Sequence, residues 1–282
     1  MDVWGGIDQI ARSDVNMVMT VNPQTKTILL TSIPRDSYVT LHSFGAEDKL
    51  THSGIYGVEE TVDTVEDWLD YDMNYYIKAN FSMLVDIVDA IDGVDVYSDF
   101  EFKSSVADFY YNEGENHLSG MAALYFARER KAFEDEDIER GRNQQKVLKA
   151  MINKTTQSKV ILTKYTQLLD AVEDEMQTNM SEKDISSLVK MQINDMGKWT
   201  INTISITGTD AYAPTYSMGS QELAVVIPDE TSVEAAKQAI HDTMYPAYTK
   251  EKRINTKQNN EISNSVMILS NGRAFLEIIT FL

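Results

Sequence analysis

Short apolar runs alternate with helical stripes along most of this chain. Residues 15–21 (Val-Asn-Met-Val-Met-Thr-Val) and 26–33 (Lys-Thr-Ile-Leu-Leu-Thr-Ser-Ile) are β-rich. Asn22-Pro23-Gln24-Thr25 lies between them and reads as a turn, so the pair predicts a hairpin. Tyr38–Leu41 predicts a further short strand. Ile55, Val58, Val62, Val65 and Leu69 recur at helical spacing over residues 55–70. Tyr75–Lys78 reads as a strand. Asn80 or Ser82 can cap a helix carrying Phe81, Leu84, Val85, Val88 and Ile91, which Gly93 ends. Val94–Tyr97 reads as a strand, residues 98–117 as an excursion, and Leu118–Phe126 as a short helix or strand lead-in. A long helix follows from about Asp137 to Lys154, then two more near 158–175 and 181–197. Trp199–Ile206 and Glu222–Ile227 predict late strands, and Val233–Met244 a closing helix.

This alternation, with β runs apolar enough to be covered twice, predicts an α/β fold. The expected form is an α-β-α sandwich, a mixed sheet with helices on both faces. No repeat or linker divides residues 1–246, which read as one domain. Residues 247–282 differ: Lys-, Asn- and Ser-rich, then hydrophobic from Phe275. They read as an edge element, a loose terminus or vector-derived sequence.

Charge narrows the function classes. With 44 acidic against 25 basic residues, the formal net charge is −19. That opposes nucleic acid as a partner, because phosphate-backbone recognition needs a basic surface. It equally opposes a broad patch for anionic lipid. The absence of cysteine excludes thiol nucleophiles, zinc–thiolate sites and disulfides. His42, His52, His117 and His241 show no metal-binding spacing, and the many serines have no evident histidine partner. No run is apolar enough for a membrane span and no signal peptide is visible. The chain opens abruptly on Met1-Asp2-Val3-Trp4, as though upstream residues had been removed.

Against this acidic background, arginines concentrate at a few points. Arg12 and Asp14 enter the first strand, and Arg35-Asp36 leave the second. If those ends are adjacent, Arg12, Asp14 and Arg35 converge where open α/β sheets usually bind ligands. Arg128 and Arg130 repeat the alternate spacing, with Glu129 pointing the other way as a surface pair. At about 100° per residue, Asp137, Arg140, Gln144, Val147, Leu148 and Met151 share one helix face. That face starts polar and becomes core, whereas Arg142 falls on the outer side. Asp135, Glu136 and Glu139 read as a solvated acidic run. Any single Arg–Asp pair is most often a weak surface contact. Convergence of five arginines instead points to a bound anion, and phosphate suits the planar guanidinium fork. Asp2 and Asp14 either orient the guanidiniums or hold a Mg²⁺ that bridges phosphate oxygens.

Several ordered motifs resemble the LytR-CpsA-Psr family, most nearly its capsule-associated branch. They include Arg12-Ser13-Asp14-Val15-Asn16-Met17, Ser32-Ile33-Pro34-Arg35-Asp36-Ser37-Tyr38-Val39 and Asp48-Lys49-Leu50-Thr51-His52. Ile91-Asp92-Gly93-Val94, Ala127-Arg128-Glu129-Arg130 and Glu139-Arg140-Gly141-Arg142-Asn143-Gln144-Gln145 continue the series. The likeness is strong over about residues 2–155 and weakens towards 245.

The resemblance implies a phosphotransferase that moves a polyprenyl-pyrophosphate-linked glycopolymer, of capsule or teichoic acid type, onto peptidoglycan. It implies a membrane protein of Gram-positive bacteria, acting on the extracytoplasmic face. Its N-terminal anchor would lie outside this chain, and the family's lead-in is cut at Met1. It implies an apolar tunnel for the isoprenoid tail between sheet and helices. Arg12, Arg35, Arg128 and Arg130 match the pyrophosphate clamp. Asp137, Arg140 and Gln144 match the helix positions beside it, and Lys49 is a further neighbour. Asp2 and Asp14 match the acids associated with Mg²⁺, which Mn²⁺ could replace. Two other classes use the same residues. One is a Mg²⁺-dependent polyprenyl-pyrophosphate phosphatase or pyrophosphatase, with water as acceptor. The other is a regulator that binds polyprenyl phosphate without turnover.

Overall fold

Asn22 sets the first turn. Its side-chain oxygen accepts from the backbone N–H groups of Gln24 (3.0 Å) and Thr25 (3.2 Å). This closes β1 (Val15–Asn22) onto β2 (Thr27–Ile33) as the expected antiparallel hairpin, with Asn16 facing Ile33 and Asn22 facing Thr27. Neither strand has a solvent face, because helices cover both sides. The computed structural model describes residues 11–133, 136–157, 160–170, 172, 175–194, 197–246 and 275–281.

In chain order the further strands begin with β3 (Tyr38–Leu41), β4 (Ala46–Lys49), β5 (Tyr75–Ala79) and β6 (Val94–Ser98). Next come β7 (Phe102–Lys103), β8 (Tyr110–Tyr111), β9 (Gly114–Leu118) and β10 (Met176–Thr178). The last are β11 (Thr200–Ser205), β12 (Gly208–Pro214), β13 (Glu222–Pro228) and β14 (Phe275–Phe281). The helices are α1 (Leu50–Ser53), α2 (Val58–Leu69), α3 (Phe81–Ala90) and α4 (Gly120–Arg128), then α5 (Glu136–Gln157), α6 (Val160–Asp170), α7 (Glu182–Asn194) and α8 (Glu230–Met244).

The main sheet has six strands in the order β10-β5-β14-β1-β2-β11. It is mixed: β11 runs parallel to β2, and β14 runs parallel to β5 but antiparallel to β1. On one face Val18, Leu29 and Ile33 pack against Val65 and Leu69 of α2 and Val233, Ala236 and Ile240 of α8. On the other, Val15, Met17 and Leu30 meet α3, α4 and α5 through residues such as Leu84, Leu124 and Val147. Each fully buried side chain of this size contributes roughly 1.5–3 kcal/mol. This is the α-β-α sandwich the pattern predicts.

Local chemistry explains the helix starts. Asn80 caps α3, accepting from the Met83 N–H at 3.0 Å. Asp229 caps α8 four residues before the apolar stripe begins at Val233. Gly120 lets α4 lie against α3, since a Cβ there would sit 2.3 Å from the Val85 carbonyl oxygen. Gly141 does the same for α5 over β2, where a Cβ would come within 3.3 Å of Ser32 Oγ. Gln145, also on α5, donates to the Ile204 carbonyl at 2.7 Å and ties the helix to β11.

Three features differ from the sequence reading. Residues 98–117 form two small antiparallel pairs, β6–β9 and β7–β8, held by Phe102, Tyr111 and Phe126 rings. Strands β4, β10 and β12 are too short or too polar to stand out in the pattern. Strand β14 occupies the interior of the main sheet, neither at an edge nor loose.

Candidate functional site: an arginine-lined cavity at the sheet's end

The hairpin register builds the first half of the site. Asn16 faces Ile33, so two residues further on Asp14 comes opposite Arg35. The two side chains form an ion pair, Arg35 Nη1 to Asp14 Oδ1. Arg35 Nε also lies 3.5 Å from Asp36 Oδ2, and Lys49 Nζ holds the other Asp36 oxygen at 3.0 Å. Arg35 is thus oriented by two carboxylates while its side chain stays 30% exposed.

Because β11 runs parallel to β2, both strands end at the same place. Beyond those ends lies a cavity of about 470 Å³. Asp14, Arg35 and Asp36 line it from the hairpin, Arg130 from the loop after α4, and Arg140 and Gln144 from α5. The β12–β13 hairpin supplies Asp210 and Val226. That hairpin is docked by Val226, whose N–H donates to the Asp36 carbonyl at 2.8 Å.

The α5 stripe falls as the helical spacing predicts. Arg140 and Gln144 face the cavity, Val147 is buried, and Leu148 and Met151 continue into an apolar pocket. Arg142 lies outside, with its side chain 55% exposed, paired to Glu139. Asp137 lies in the first turn of α5, but its side chain is outside the described residues, as is the whole of Asp2.

The other expected clamp residues divide. Arg130 lines the cavity, while Arg128 lines the adjoining apolar pocket with its guanidinium carbon 4.8 Å from the centre of the Phe81 ring. Arg12 is exposed, two residues from Asp14, and does not line either space. Lys49 reaches the site only through Asp36.

The apolar pocket is lined by Val15, Met17, Leu84, Leu124, Leu148 and Met151 among others, and shares Val15 and Gln144 with the cavity. Its volume is only about 30 Å³, room for one water and not for an isoprenoid tail. At this place the described side chains leave a small apolar pocket, narrower than the tunnel the resemblance implies.

Two acidic residues are corrected. Glu129 is not a surface residue but is 1% exposed. It accepts from the backbone N–H groups of Ser105 (2.6 Å), Arg130 (3.1 Å) and Ala132 (3.2 Å). Glu139 is likewise buried, not solvated. The alternating pattern placed Glu129 opposite its neighbours correctly; it could not show that the opposite side is also interior.

Burial alone would raise the Glu129 pKa. Hydrogen bonds from the Ser105 N–H and hydroxyl, the Arg130 N–H and Ser104 outweigh it and hold the pKa below the usual glutamate range. The ionised form therefore stabilises the fold above the unfolded-state value of about 4.3, and this contribution is lost as pH falls through the lower folded value. Glu129→Gln is expected to lower stability at pH 7 by about 1–3 kcal/mol in urea unfolding, with the gap closing in strong acid. A constant gap across that range would show the carboxylate charge to be irrelevant.

Outside the cavity lining, buried His52 and Asp48 meet the half-buried Ser217. His52 Nδ1 is 2.6 Å from Asp48 Oδ1 and 2.8 Å from Ser217 Oγ. Serine thus does have a histidine partner, which the sequence did not reveal across 165 residues. It is not a nucleophile relay, because acid and serine meet the same ring nitrogen and a relay needs opposite ones.

Guanidiniums and carboxylates line one cavity at the sheet's end of this α/β domain, beside a small apolar pocket. The model of the LytR_cpsA_psr family matches residues 3–239, and the chain belongs to this family. It is 38% identical over 175 residues to the polyisoprenyl-teichoic acid–peptidoglycan teichoic acid transferase TagU of Bacillus licheniformis, covering 62% of this chain and 56% of that protein. It thus spans little more than half the length of the curated relatives it matches. Among solved structures, B. subtilis TagV superposes with a TM-score of 0.67 at 30% identity, over 83% of this chain and 89% of that one. TagT bound to LI-WTA gives 0.66 at 28% identity, over 85% and 88%.

Proposed function

We propose that this chain is the catalytic domain of a phosphotransferase that moves a polyprenyl-pyrophosphate-linked glycopolymer onto peptidoglycan. The observation that carries the reading is the union of a charged cavity and an apolar seam through Val15 and Gln144. A diphosphate head fits Arg35, Arg130 and Arg140. A hydrocarbon tail would part Met17, Leu148 and Met151, whose methionines adapt readily to new neighbours. Arg128 lines the adjoining apolar pocket, and exposed Arg12 lies two residues from Asp14. The names of the relatives support a teichoic acid polymer; a capsular polysaccharide is the other polymer of this reading.

In the reaction, an acceptor hydroxyl oxygen attacks the sugar-linked phosphorus. The new P–O bond forms as the bridging P–O–P bond breaks, and polyprenyl phosphate departs with that oxygen. Guanidiniums positioned before the reaction stabilise the charge that builds on the phosphoryl oxygens. Asp14 and Asp36 are engaged by Arg35 and Lys49. Asp210 lines the same cavity and makes no ion pair among the described residues, so it is placed to take the acceptor's proton.

The hard oxygen donors Asp14, Asp36 and Asp210 suit Mg²⁺, or Mn²⁺, better than a softer ion. Among the described residues no group of three or more His, Asp or Glu encloses one point. Bound there through Asp14, with Asp2 in the outside segment, the ion would neutralise phosphate charge and take its remaining ligands from phosphate and water.

No helix among the described residues is long and apolar enough to cross a membrane. The proposed place of action is the extracytoplasmic face of the cell membrane, reached through an anchor outside this chain.

The test is native mass spectrometry of the purified chain for bound polyprenyl phosphate, followed by transfer of lipid-linked polymer to peptidoglycan. Binding and attached polymer are expected, and Arg128→Ala/Arg130→Ala should lose both. Released polymer alone would make the protein a hydrolase, and binding without turnover a regulator.

A further inference from the structure

Away from the cavity, three aromatic rings meet at the surface. Phe44 comes from the turn between β3 and β4, Tyr56 from the 3₁₀ turn Gly54–Tyr56, and Tyr216 from the 3₁₀ turn Tyr216–Met218. Phe44 and Tyr216 stack with centroids 4.7 Å apart, and Tyr56 lies 4.6 Å from Phe44. Rings from three segments normally hide one another. These remain 37%, 39% and 48% exposed for Phe44, Tyr56 and Tyr216. An exposed apolar patch of this kind marks a contact surface.

The patch is held from beneath. Asp48 is fully buried, and its carboxylate accepts from the Ser217 N–H at 2.8 Å and the Lys49 N–H at 2.7 Å. His52 completes this trio. Burying a carboxylate and an imidazole is unfavourable unless both are well bonded. Here their bonds fix one short turn, the turn that sets Tyr216 on Phe44.

Carboxylates outnumber cations beside the rings. Glu60 accepts from the Ser43 N–H next to Phe44, and Asp67 holds His42. Glu47 lies on β4 beside them, while Lys49 turns away to Asp36. An anionic polymer would be repelled from such a rim. A sugar without charge would not be. Its C–H faces suit the negative faces of aromatic rings, and its hydroxyls can donate to carboxylates.

The platform is also a short length of chain from the cavity. Asp210 lines the cavity and Tyr216 follows six residues later, at most about 20 Å of extended chain. A polymeric sugar chain can therefore touch both.

We propose that Phe44, Tyr56 and Tyr216 form a subsite for an uncharged polysaccharide strand, the acceptor glycan and not the anionic donor polymer. This rests on the transferase reading and adds the place where the acceptor lies.

The experiment titrates the full chain with three probes: a hexasaccharide of β-1,4-linked N-acetylglucosamine, poly(glycerol phosphate), and farnesyl pyrophosphate. The wild type is expected to bind the hexasaccharide and not poly(glycerol phosphate). Phe44→Ala and Tyr216→Ala should each weaken hexasaccharide binding by about tenfold, equivalent to about 1.4 kcal/mol. Tyr216→Phe keeps the ring and should retain binding. Farnesyl pyrophosphate should bind all four proteins alike. Phe44 lies on an exposed turn, so its variant reports even if Tyr216→Ala disturbs the fold. No hexasaccharide binding by the wild type, equal binding by the alanine variants, or a preference for poly(glycerol phosphate) would each overturn the subsite. Failure of farnesyl pyrophosphate to bind the wild type would instead sink the transferase reading.

Discussion

Arg35→Ala and Arg130→Ala are each expected to reduce polymer transfer by about 10²–10³-fold, the cost of removing one prepositioned charge donor from a phosphoryl or acyl transfer site. The two should fail for related reasons. Arg35 is the guanidinium that two carboxylates, Asp14 and Asp36, orient into the cavity. Its removal takes away a positive charge and leaves two negative ones facing an anionic substrate. Arg130 is set by the buried Glu129, which receives the N–H of Arg130 itself. Neither residue is part of the hydrophobic core, so melting temperatures should change little. Arg35→Lys keeps the charge but loses the fork, and should recover only part of the activity. Arg142→Ala is the control: its side chain points outward to Glu139, and transfer should fall by no more than about twofold, in line with an exposed pair. Equal losses at Arg35, Arg130 and Arg142 would mean that the cavity is not where the pyrophosphate binds.

The helix face that separates Arg140 from Arg142 was legible because a helix has a fixed period. Two residues apart on α5 is a turn of about 200°, enough to decide cavity or solvent. The Asp14–Arg35 pair was legible for a similar reason, since a tight turn fixes hairpin register. What the chain did not reveal depends on contacts between distant segments. Asp210 lies on β12, a strand that does not stand out in the pattern, and only docking of the β12–β13 hairpin against Asp36 brings it to the cavity. Glu129 and Glu139 read as surface acids because burying a carboxylate is rare; backbone donors at the end of α4 make it possible for Glu129. The apolar stripe on α5 did mark the wall of the apolar pocket, but spacing carries no information about how open that pocket is.

A chain ending at Pro246 is expected to lose its cooperative fold. Strand β14 fills the slot between β1 and β5, facing β1 from Val15↔Phe281 to Val21↔Phe275 and β5 from Tyr75↔Glu277 to Ala79↔Phe281. Removing it breaks both ladders in the middle of the sheet. Each ladder hydrogen bond contributes about 1 kcal/mol net, and a domain's whole stability is about 5–15 kcal/mol. Roughly ten lost bonds therefore approach or exceed what the fold has to spare. Two unpaired strand edges would also face each other across the gap and invite pairing with other chains. Asp14 immediately precedes β1, so the damage reaches the cavity as well. Circular dichroism and size-exclusion chromatography of the shortened chain should show a broad, weak transition and aggregation. A peptide spanning residues 270–282, added during refolding, should restore the transition. The point variant Ile278→Pro offers a milder form of the same test, because proline cannot donate to a ladder where Ile278 faces both Val18 and Tyr76. If the shortened chain melts as sharply and as high as the full one, the sheet closes without β14, and residues 275–281 are an accessory to a domain complete by Pro246.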